Sequence, residues 1–533
     1  MTEEVADQER LRLTQSTQAA GWQSGFEARM LIMLFLTEVL VLALAQLPLS
    51  LSWGTFAFMD QGANLAVQTL LDRGLVPTID FGYIYGLLPL LFGRLWFSLL
   101  GLTPVAYAAA MLVADLLIAW GLARCLAAMR AGPAGIALVV VAMPWVALAS
   151  YINLAHAIEA TLICHALAEH ALGRRSRALA LLTACLFVKP TMAYVYGLLL
   201  VLLIVRDARP YGVRGILREL APSAATTFIL MTLCGCWFGV KPLMNSLLPL
   251  AGAANYRYMN YGFFHGVGRR FWLPADVSPT YYLVSPAGHY LVGTVVLFGA
   301  AIAALLQQMR SPSNIAYRDE VIVCCAIMQL TFLTVFYADF ASWTYYYYVL
   351  IISLAGLAAS GVRSAALVLL IAVAVLFGEK YQFSGIKSHW ETTRPTADMA
   401  GLWTSEDDRQ EWRQVMEIVK DRHASVLSTQ GEGLTTIMPG FAPAENMFIA
   451  PGIPLAPDLK RKLDQVASAE FVLLRNNTTN RPFLDLWPQF REALDGCELI
   501  LSTTQYQIYR RARPPRLSNI STLETDTLSG VTR

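Results

Sequence analysis

The sequence predicts a mainly α-helical protein that crosses a membrane many times and carries a small soluble α/β domain at its C-terminal end. Hydrophobic residues make up 56% of the 533 residues, charged residues make up 15%, and the mean hydropathy is +0.48. A soluble core needs fewer apolar residues than this, so a purely soluble protein is excluded. The net charge is only +2. Because the basic residues occur in short clusters between apolar runs, nucleic acid is excluded as a partner.

Long apolar runs predict the helices that cross the membrane, and the arginine clusters between them predict which side each loop occupies. Residues 1–29 contain Arg10, Arg12 and Arg29 and are therefore expected to be cytoplasmic. The bundle of about eleven predicted spans covers residues 30–50, 104–123, 133–150, 155–172, 178–189, 191–206, 222–240, 286–308, 320–338, 343–360 and 364–379. On this path, every arginine cluster in a short loop lies inside.

Two long loops are predicted on the outer side, over residues 51–103 and 241–285. The apolar stretch from Tyr85 to Leu100 is expected to be a helix at the outer interface, because a span there would invert the charge pattern of every later loop. The fifth and sixth spans meet at Lys189 and Pro190. Since proline breaks a continuous helix, a tight outer turn or a broken helix is expected there.

Beyond Glu379 the composition becomes that of a soluble domain. Amphipathic patterns predict helices over about 406–421 and 458–469, and strands are predicted over 424–428 and 471–474 and near residues 499 and 506. We therefore divide the chain into a transmembrane domain over 30–380, an extracytoplasmic α/β domain over 381–513 and a disordered tail over 514–533. The expected location is a bacterial-type inner or plasma membrane.

Polar residues gather at the outer ends of the predicted spans, and this is the main indication of function. Asp60 follows the apolar stretch FAFM in the outer loop after the first span, and Asp80 lies in the same loop. A carboxylate at a membrane face could act as a general base that takes the proton from an acceptor hydroxyl. An interfacial charge or a helix cap is the alternative interpretation.

His156 and Glu159 lie three residues apart at the outer start of the fourth span, together with Asn153. This spacing places them on one face of the helix. The two side chains could bind a divalent cation with Asp60, although the sequence contains no compact metal motif. A structural cluster of hydrogen bonds is the alternative.

Basic residues on the outer side suggest that a phosphate is bound. Lys189 lies at the outer end of a hydrophobic helix, where its ammonium can meet an anion, either a substrate or a membrane lipid headgroup. The loop over 241–285 adds three arginines among many aromatic residues. These arginines are Arg257, Arg269 and Arg270. Guanidinium groups bind phosphate oxygens and aromatic rings suit a sugar face or a prenyl chain, but the same residues suit interfacial anchoring.

This layout resembles the GT-C superfamily of membrane glycosyltransferases. In that superfamily an acidic residue follows the first helix, in a long outer loop with interfacial helices, as in FMDQGANLAVQTLLDRGLVPTIDFGYIYGLLPLLFGRLWFSLLG. The chain is similar to family-87-like and family-39-like mannosyltransferases. In the family-87-like and related enzymes a short helix ends in a Lys-Pro pair, here GRRSRALALLTACLFVKPTMAYVYGLLLVLL. The resemblance covers about residues 30–380. It implies that Asp60 is the catalytic acid position and that Lys189 faces a donor phosphate.

The resemblance implies a hexosyl- or pentosyltransferase that moves a sugar from a polyprenyl-phosphate donor to a lipid-linked or cell-envelope glycan acceptor. Asp60 would act as the base, and Lys189 with the loop arginines would hold the phosphate; His156, Glu159 and Asp80 are further candidates for substrate binding. Because phosphate is a good leaving group, positive side chains can replace a metal. We therefore expect no required cofactor and no protein metal ligands, with a divalent cation as the alternative.

Two other functions compete with this interpretation. A non-enzymatic transporter or flippase of a lipid-linked saccharide predicts inverted repeats and charges near the middle of the membrane. The sequence shows no such repeat, and its polar residues gather at the outer face. A polysaccharide polymerase or ligase is a second alternative, which the acid directly after the first helix disfavours.

Overall fold

The computed structural model of the chain is mostly helical, with a few strands near its C-terminal end. The structure describes residues 28–150, 153–189, 192–247, 293–302, 317–331, 347–420, 422–428, 431–444, 456–475 and 483–512. Several sequence predictions lie outside the described residues. These are Arg257, Arg269 and Arg270, most of the cytoplasmic segment over 1–29, most of the outer loop over 241–285 and the tail over 514–533.

The first half of the described chain is mostly helical. Its helices are α1 (Ala28–Ala45), α2 (Leu47–Ser50), α3 (Trp53–Phe58), α4 (Asp60–Asp72), α5 (Leu88–Leu100), α6 (Pro104–Met129), α7 (Pro133–Ser150), α8 (Leu154–Ala171), α9 (Arg175–Leu186), α10 (Met192–Ala208), α11 (Gly212–Phe238) and α12 (Val240–Leu247). The start of α6 shows why these boundaries arise. Thr103 accepts a hydrogen bond from Ala106 N over 3.1 Å, and Pro104 occupies the first helical position, where its missing N–H costs nothing.

The remaining elements combine four more helices of the bundle with an α/β domain. The bundle helices are α13 (Gly293–Ile302), α14 (Tyr317–Thr331), α15 (Tyr347–Leu357) and α16 (Val362–Thr392). The helices of the α/β domain are α17 (Glu406–Val419), α18 (Glu432–Ile437), α19 (Ala456–Ser468), α20 (Phe483–Leu486) and α21 (Gln489–Ala493). The strands are β1 (Thr393–Thr396), β2 (Leu402–Ser405), β3 (Ser425–Leu427), β4 (Phe471–Arg475), β5 (Cys497–Ser502) and β6 (Tyr506–Arg511).

Three of the described helical segments are long and apolar enough to cross a membrane, by length and composition: Ala28–Ala45, Pro104–Met129 and Ala193–Phe238. Shorter apolar helices include Pro133–Val146, Gly293–Ile302, Tyr347–Ser360 and Val362–Phe377. On α11, the large apolar side chains of Phe228, Leu233 and Trp237 are exposed, as expected for a surface that faces lipid. The chain is a membrane protein, while the count of about eleven spans stays a prediction.

The interfacial helix predicted between Tyr85 and Leu100 forms as α5, with Pro89 near its start. Its 13 residues extend roughly 20 Å at about 1.5 Å per residue. A hydrocarbon core is roughly 30 Å thick, so α5 is too short to cross it alone. Its length is therefore consistent with a helix that lies along the interface.

Two helix boundaries differ from the prediction. The predicted inner loop after residue 206 is largely helical, because α10 continues to Ala208 and α11 begins at Gly212 after a short 3-10 turn. The last predicted span ends at 379, whereas α16 continues to Thr392. Arginine, lysine and glutamate are good helix formers. A change from apolar to charged residues therefore marked a change of surroundings in both segments and not the end of a helix.

The α/β domain contains a four-stranded sheet with the strand order β3-β4-β6-β5. The β3–β4 pair is parallel and the other two pairs are antiparallel. A separate antiparallel pair, β1 and β2, continues directly from α16. The strands predicted at 424–428, at 471–474 and near residues 499 and 506 are confirmed. The helices predicted over 406–421 and 458–469 are confirmed as α17 and α19.

The β1–β2 pair contacts the start of the outer loop over 51–103. Trp403 N on β2 donates a hydrogen bond to Leu51 O over 2.8 Å, and the Trp390 indole on α16 donates to Ala45 O over 2.7 Å. The rings of Trp390 and Trp403 pack edge to face, with their centroids 5.1 Å apart. The α/β domain therefore lies against the segment that contains Asp60.

Candidate functional site

Asp60 lies at a bend between two helices of the outer loop. Helix α3 ends at Phe58, Met59 adopts an extended conformation (φ −140°, ψ −173°), and Asp60 is the first residue of α4. The residue at the N-cap position of α4 is Met59, so the helix-cap interpretation of Asp60 does not hold. Asp60 is half-buried, and its carboxylate lies in the first helical turn, where backbone N–H groups favour a negative charge.

Tyr107 connects Asp60 to the start of α8. The Asp60 carboxylate and the Tyr107 hydroxyl interact electrostatically, and this hydroxyl accepts a hydrogen bond from Leu154 N over 3.1 Å. The Tyr107 ring packs edge to face on Phe56 of α3, with the centroids 5.8 Å apart. Helices α3, α6 and α8 therefore meet beside Asp60.

Asn153 fixes the beginning of α8. Its side-chain oxygen accepts a hydrogen bond from Ala155 N over 2.9 Å, which satisfies one of the free N–H groups at the helix start. Its side-chain nitrogen donates to the Tyr85 hydroxyl over 3.3 Å. Asn153 is fully buried, so the position of His156 one turn later is fixed by the fold.

Lys189, His156 and Glu159 form a buried group of ionisable side chains. The Lys189 Nζ lies 3.2 Å from His156 Nδ1, and this nitrogen lies 3.7 Å from Glu159 Oε2. The exposed fractions are 4% for Lys189, 3% for His156 and 1% for Glu159. Because a buried charge is costly unless it is paired, the proximity of the Lys189 ammonium and the Glu159 carboxylate makes the arrangement tolerable.

The outer loop is attached to the segment that carries Lys189. Gly86 N donates a hydrogen bond to Val188 O over 2.7 Å, and Leu88 N donates to Phe187 O over 2.9 Å. A Cβ atom at position 86 would lie 2.0 Å from Phe187 O, so only glycine allows this approach. The neighbouring Tyr85 ring packs edge to face on His156, with the centroids 5.7 Å apart.

These contacts bring four of the predicted site residues into one region: Asp60, His156, Glu159 and Lys189. Tyr85, Asn153, His156, Glu159 and Lys189 form a buried group, which we call the polar cluster, and Tyr107 connects it to Asp60. Sequence reasoning missed Tyr85 and Tyr107 as site residues. Both lie near predicted membrane interfaces, where tyrosine is common for unrelated reasons, so the sequence carried no distinguishing signal.

Asp80 makes its described contacts elsewhere. Its carboxylate accepts a hydrogen bond from Val76 N over 2.7 Å and so closes its own turn. Its backbone carbonyl accepts a hydrogen bond from Arg461 on α19. These contacts give Asp80 a role in holding the outer loop against the α/β domain, and its predicted substrate contact stays a prediction.

Among the residues that the structure describes, no group of three or more His, Cys, Asp or Glu side chains is arranged to hold a metal ion. His156 and Glu159 lie beside Lys189, whose positive charge would oppose a cation at the same place. The choice between positive side chains and a divalent cation stays a prediction.

No protein-family model matches the chain, and no curated protein matches it. Among solved structures, the crystal structure of ArnT from Cupriavidus metallidurans bound to undecaprenyl phosphate is similar over 90% of this chain and 97% of that chain. The sequence identity is 13% and the TM-score is 0.37. These values are too low for residue roles to be transferred from that structure.

Proposed function

We propose that this protein is a glycosyltransferase that moves a sugar from a polyprenyl-phosphate donor to a lipid-linked or cell-envelope glycan acceptor at the outer face of the membrane. The observation that carries the proposal is the buried group of Lys189, His156 and Glu159 at the start of α8. Tyr107 bonds to this helix start and also interacts electrostatically with the half-buried Asp60. A base and a phosphate-binding cation are the two groups that such a reaction requires. The resemblance to GT-C enzymes supports the same roles.

The proposed chemistry assigns one step to each group. The acceptor oxygen attacks the anomeric carbon of the sugar while Asp60 takes its proton, and the bond from that carbon to the donor phosphate breaks. Positive charge near the departing phosphate stabilises the transition state. Lys189 supplies such a charge, with Arg257, Arg269 and Arg270 proposed as further phosphate ligands.

The test is the transfer of radiolabelled sugar from a panel of polyprenyl-phosphate sugars into lipid or polysaccharide. Membranes containing the natural protein are compared with membranes containing Asp60→Asn. Loss of the base is expected to lower transfer by about 100-fold or more. The matched control is Asp72→Asn, at the opposite end of α4, where the carboxylate binds Arg94 on the surface. Equal transfer by Asp60→Asn and the natural protein would remove Asp60 as the base.

A transporter of a lipid-linked saccharide is the second candidate. It is favoured by one observation, which is that Lys189, His156 and Glu159 are ionisable and buried between largely apolar helices. Such residues are typical of transport pathways as well as of active sites. The same preparations distinguish the two functions. The transporter would be supported if an intact lipid-linked saccharide moved across the membrane of proteoliposomes and no sugar were transferred covalently from any donor.

A further inference from the structure

Arg475, the last residue of β4, reaches out of the α/β domain to the segment before Asp60. Its guanidinium carbon lies 3.9 Å from the centroid of the Phe58 ring and 5.8 Å from that of Tyr506. Phe58 is 1% exposed and lies two residues before Asp60. A guanidinium that stacks on an aromatic ring away from water contributes favourably through the electron-rich ring face. Arg475 therefore fixes the end of α3, directly before the bend that carries Asp60.

A network within the α/β domain holds Arg475 in this position. Its guanidinium donates a hydrogen bond to the Gln505 side-chain oxygen over 3.1 Å, and the Gln505 side-chain nitrogen donates to Asp408 on α17. The Gln505 backbone N–H donates to Glu411 Oε2 over 3.0 Å. Burial lowers the pKa of Arg475, whereas Tyr506, Asp408 and Glu411 act in the opposite direction. Arginine stays charged under these conditions, so the stacked group is a cation.

The α/β domain also holds the other side of Asp60. Helix α4 crosses α18 where Gly62 faces Gly433, and a Cβ atom at position 62 would lie 2.7 Å from Gly433 Cα. Gly62 lies two residues after Asp60, and Phe58 lies two residues before it. The backbone that carries the Asp60 carboxylate is thus fixed on both sides by the same domain. In addition, the Trp53 indole donates a hydrogen bond to the Tyr506 hydroxyl over 3.3 Å.

We propose that Arg475 is a positioning residue for Asp60: through Phe58 it sets the direction in which the Asp60 carboxylate faces the acceptor hydroxyl. This inference rests on the proposed function, because it needs Asp60 to be the base. It gives the α/β domain a part in the reaction through the position of Asp60. Small displacements of a base cost much in rate.

The test is a double-mutant cycle with Asp60→Asn and Arg475→Met, measured as kcat and donor KM for sugar transfer. Arg475→Met is expected to lower kcat by about tenfold or more with the donor KM unchanged. In the Asp60→Asn background it is expected to lower the residual transfer no further, because a residue that acts through Asp60 has nothing left to position. Arg475→Lys keeps a cation above the ring and should restore part of the rate.

The matched control is Arg422→Met, which removes a similar cation from above Phe471 in the same domain, where the distance is 5.5 Å. It should leave kcat unchanged. Equal losses from Arg475→Met in both backgrounds would overturn the inference, since a general structural role lowers all activity alike. If Arg475→Met yields no folded protein, Arg475→Lys is taken through the same cycle.

The outcomes also separate the inference from the proposed function. Activity that needs Asp60 but is unaffected by Arg475→Met overturns the inference alone. Full activity in Asp60→Asn overturns the assignment of the base and, with it, the inference.

Discussion

The ammonium of Lys189 lies 3.2 Å from the His156 ring, inside a part of the bundle that is otherwise largely apolar. A lysine in such a place needs a negative partner, and the Glu159 carboxylate lies close enough to interact with it electrostatically. The three residues come from two segments, α8 and the turn that follows α9. The polar cluster is therefore stabilised by the pairing of Lys189 with Glu159 as well as by the packing of the helices around it.

Removing either charge of this pair should destabilise the protein. Lys189→Met and Glu159→Gln each leave one buried charge uncompensated, at an expected cost of roughly 3–5 kcal/mol each. The double variant should lose less than the sum of the two, because it leaves no unpaired charge. Thermal unfolding in detergent measures the stability of the natural protein, the two single variants and the double variant. Strict additivity would show that the two charges do not interact.

Lys189 is also expected to matter for the donor. Lys189→Gln should lower sugar transfer by at least about tenfold, because the leaving phosphate loses a positive neighbour. Lys241→Gln is the matched control, since Lys241 is exposed on α12 and lies outside the polar cluster. Transfer rates over a range of donor concentrations give the comparison. A Lys189→Gln protein that is folded and fully active would remove Lys189 from the proposed mechanism.

Much of the local structure could be predicted from the sequence because its causes are local. The amphipathic pattern over 406–421 is sufficient to place α17, and the apolar run over 471–474 is sufficient to place β4. The apolar run over 133–150 coincides with α7. The ends of α10 and α16 could not be placed, because charged residues continue a helix as well as apolar ones do.

The candidate site was predicted only in part, for a physical reason. Spacing along one helix is visible in a sequence, and it grouped His156 with Glu159. The contacts of Tyr107 with Leu154 and of Gly86 with Val188 join segments far apart in the chain, and no local pattern encodes them. The role of Asp80 in closing its own turn depends on a backbone conformation that the carboxylate alone does not reveal.

The crossing of α4 and α18 should be sensitive to a single methyl group. In Gly433→Ala the new Cβ would lie 2.0 Å from Phe56 O and 2.5 Å from Gly62 Cα, so backbone must move. We expect the α/β domain to separate from the outer loop more easily, which limited proteolysis detects as faster release of a C-terminal fragment. Gly385→Ala, with nothing within 4 Å of the new Cβ, is the control. Equal digestion of both variants would contradict the close crossing.

A second charged centre joins four helices of the bundle. Glu320 on α14 accepts hydrogen bonds from Arg175, Arg206 and His170, at 2.5, 3.3 and 3.2 Å between the closest atoms. Glu320→Gln removes the charge that pairs with all of them, and we expect a loss of roughly 3 kcal/mol in the free energy of unfolding. Glu391→Gln breaks an exposed pair with Lys387 and should cost less than about 1 kcal/mol. Thermal unfolding of both variants in detergent measures the difference.

The orientation of the chain is open to a direct test. The arginine clusters predict that residues 1–29 lie in the cytoplasm and that the α/β domain lies outside it. Protease added to intact spheroplasts should therefore remove a tag placed after Arg533 and leave a tag placed before Met1, whereas inside-out vesicles should give the reverse. The proposed reaction requires this arrangement, because Arg475 and Gly433 hold Asp60 from the α/β domain, so the domain and the base must share one side of the membrane. A C-terminal tag protected in intact spheroplasts would place Asp60 on the cytoplasmic side and exclude an acceptor at the outer face.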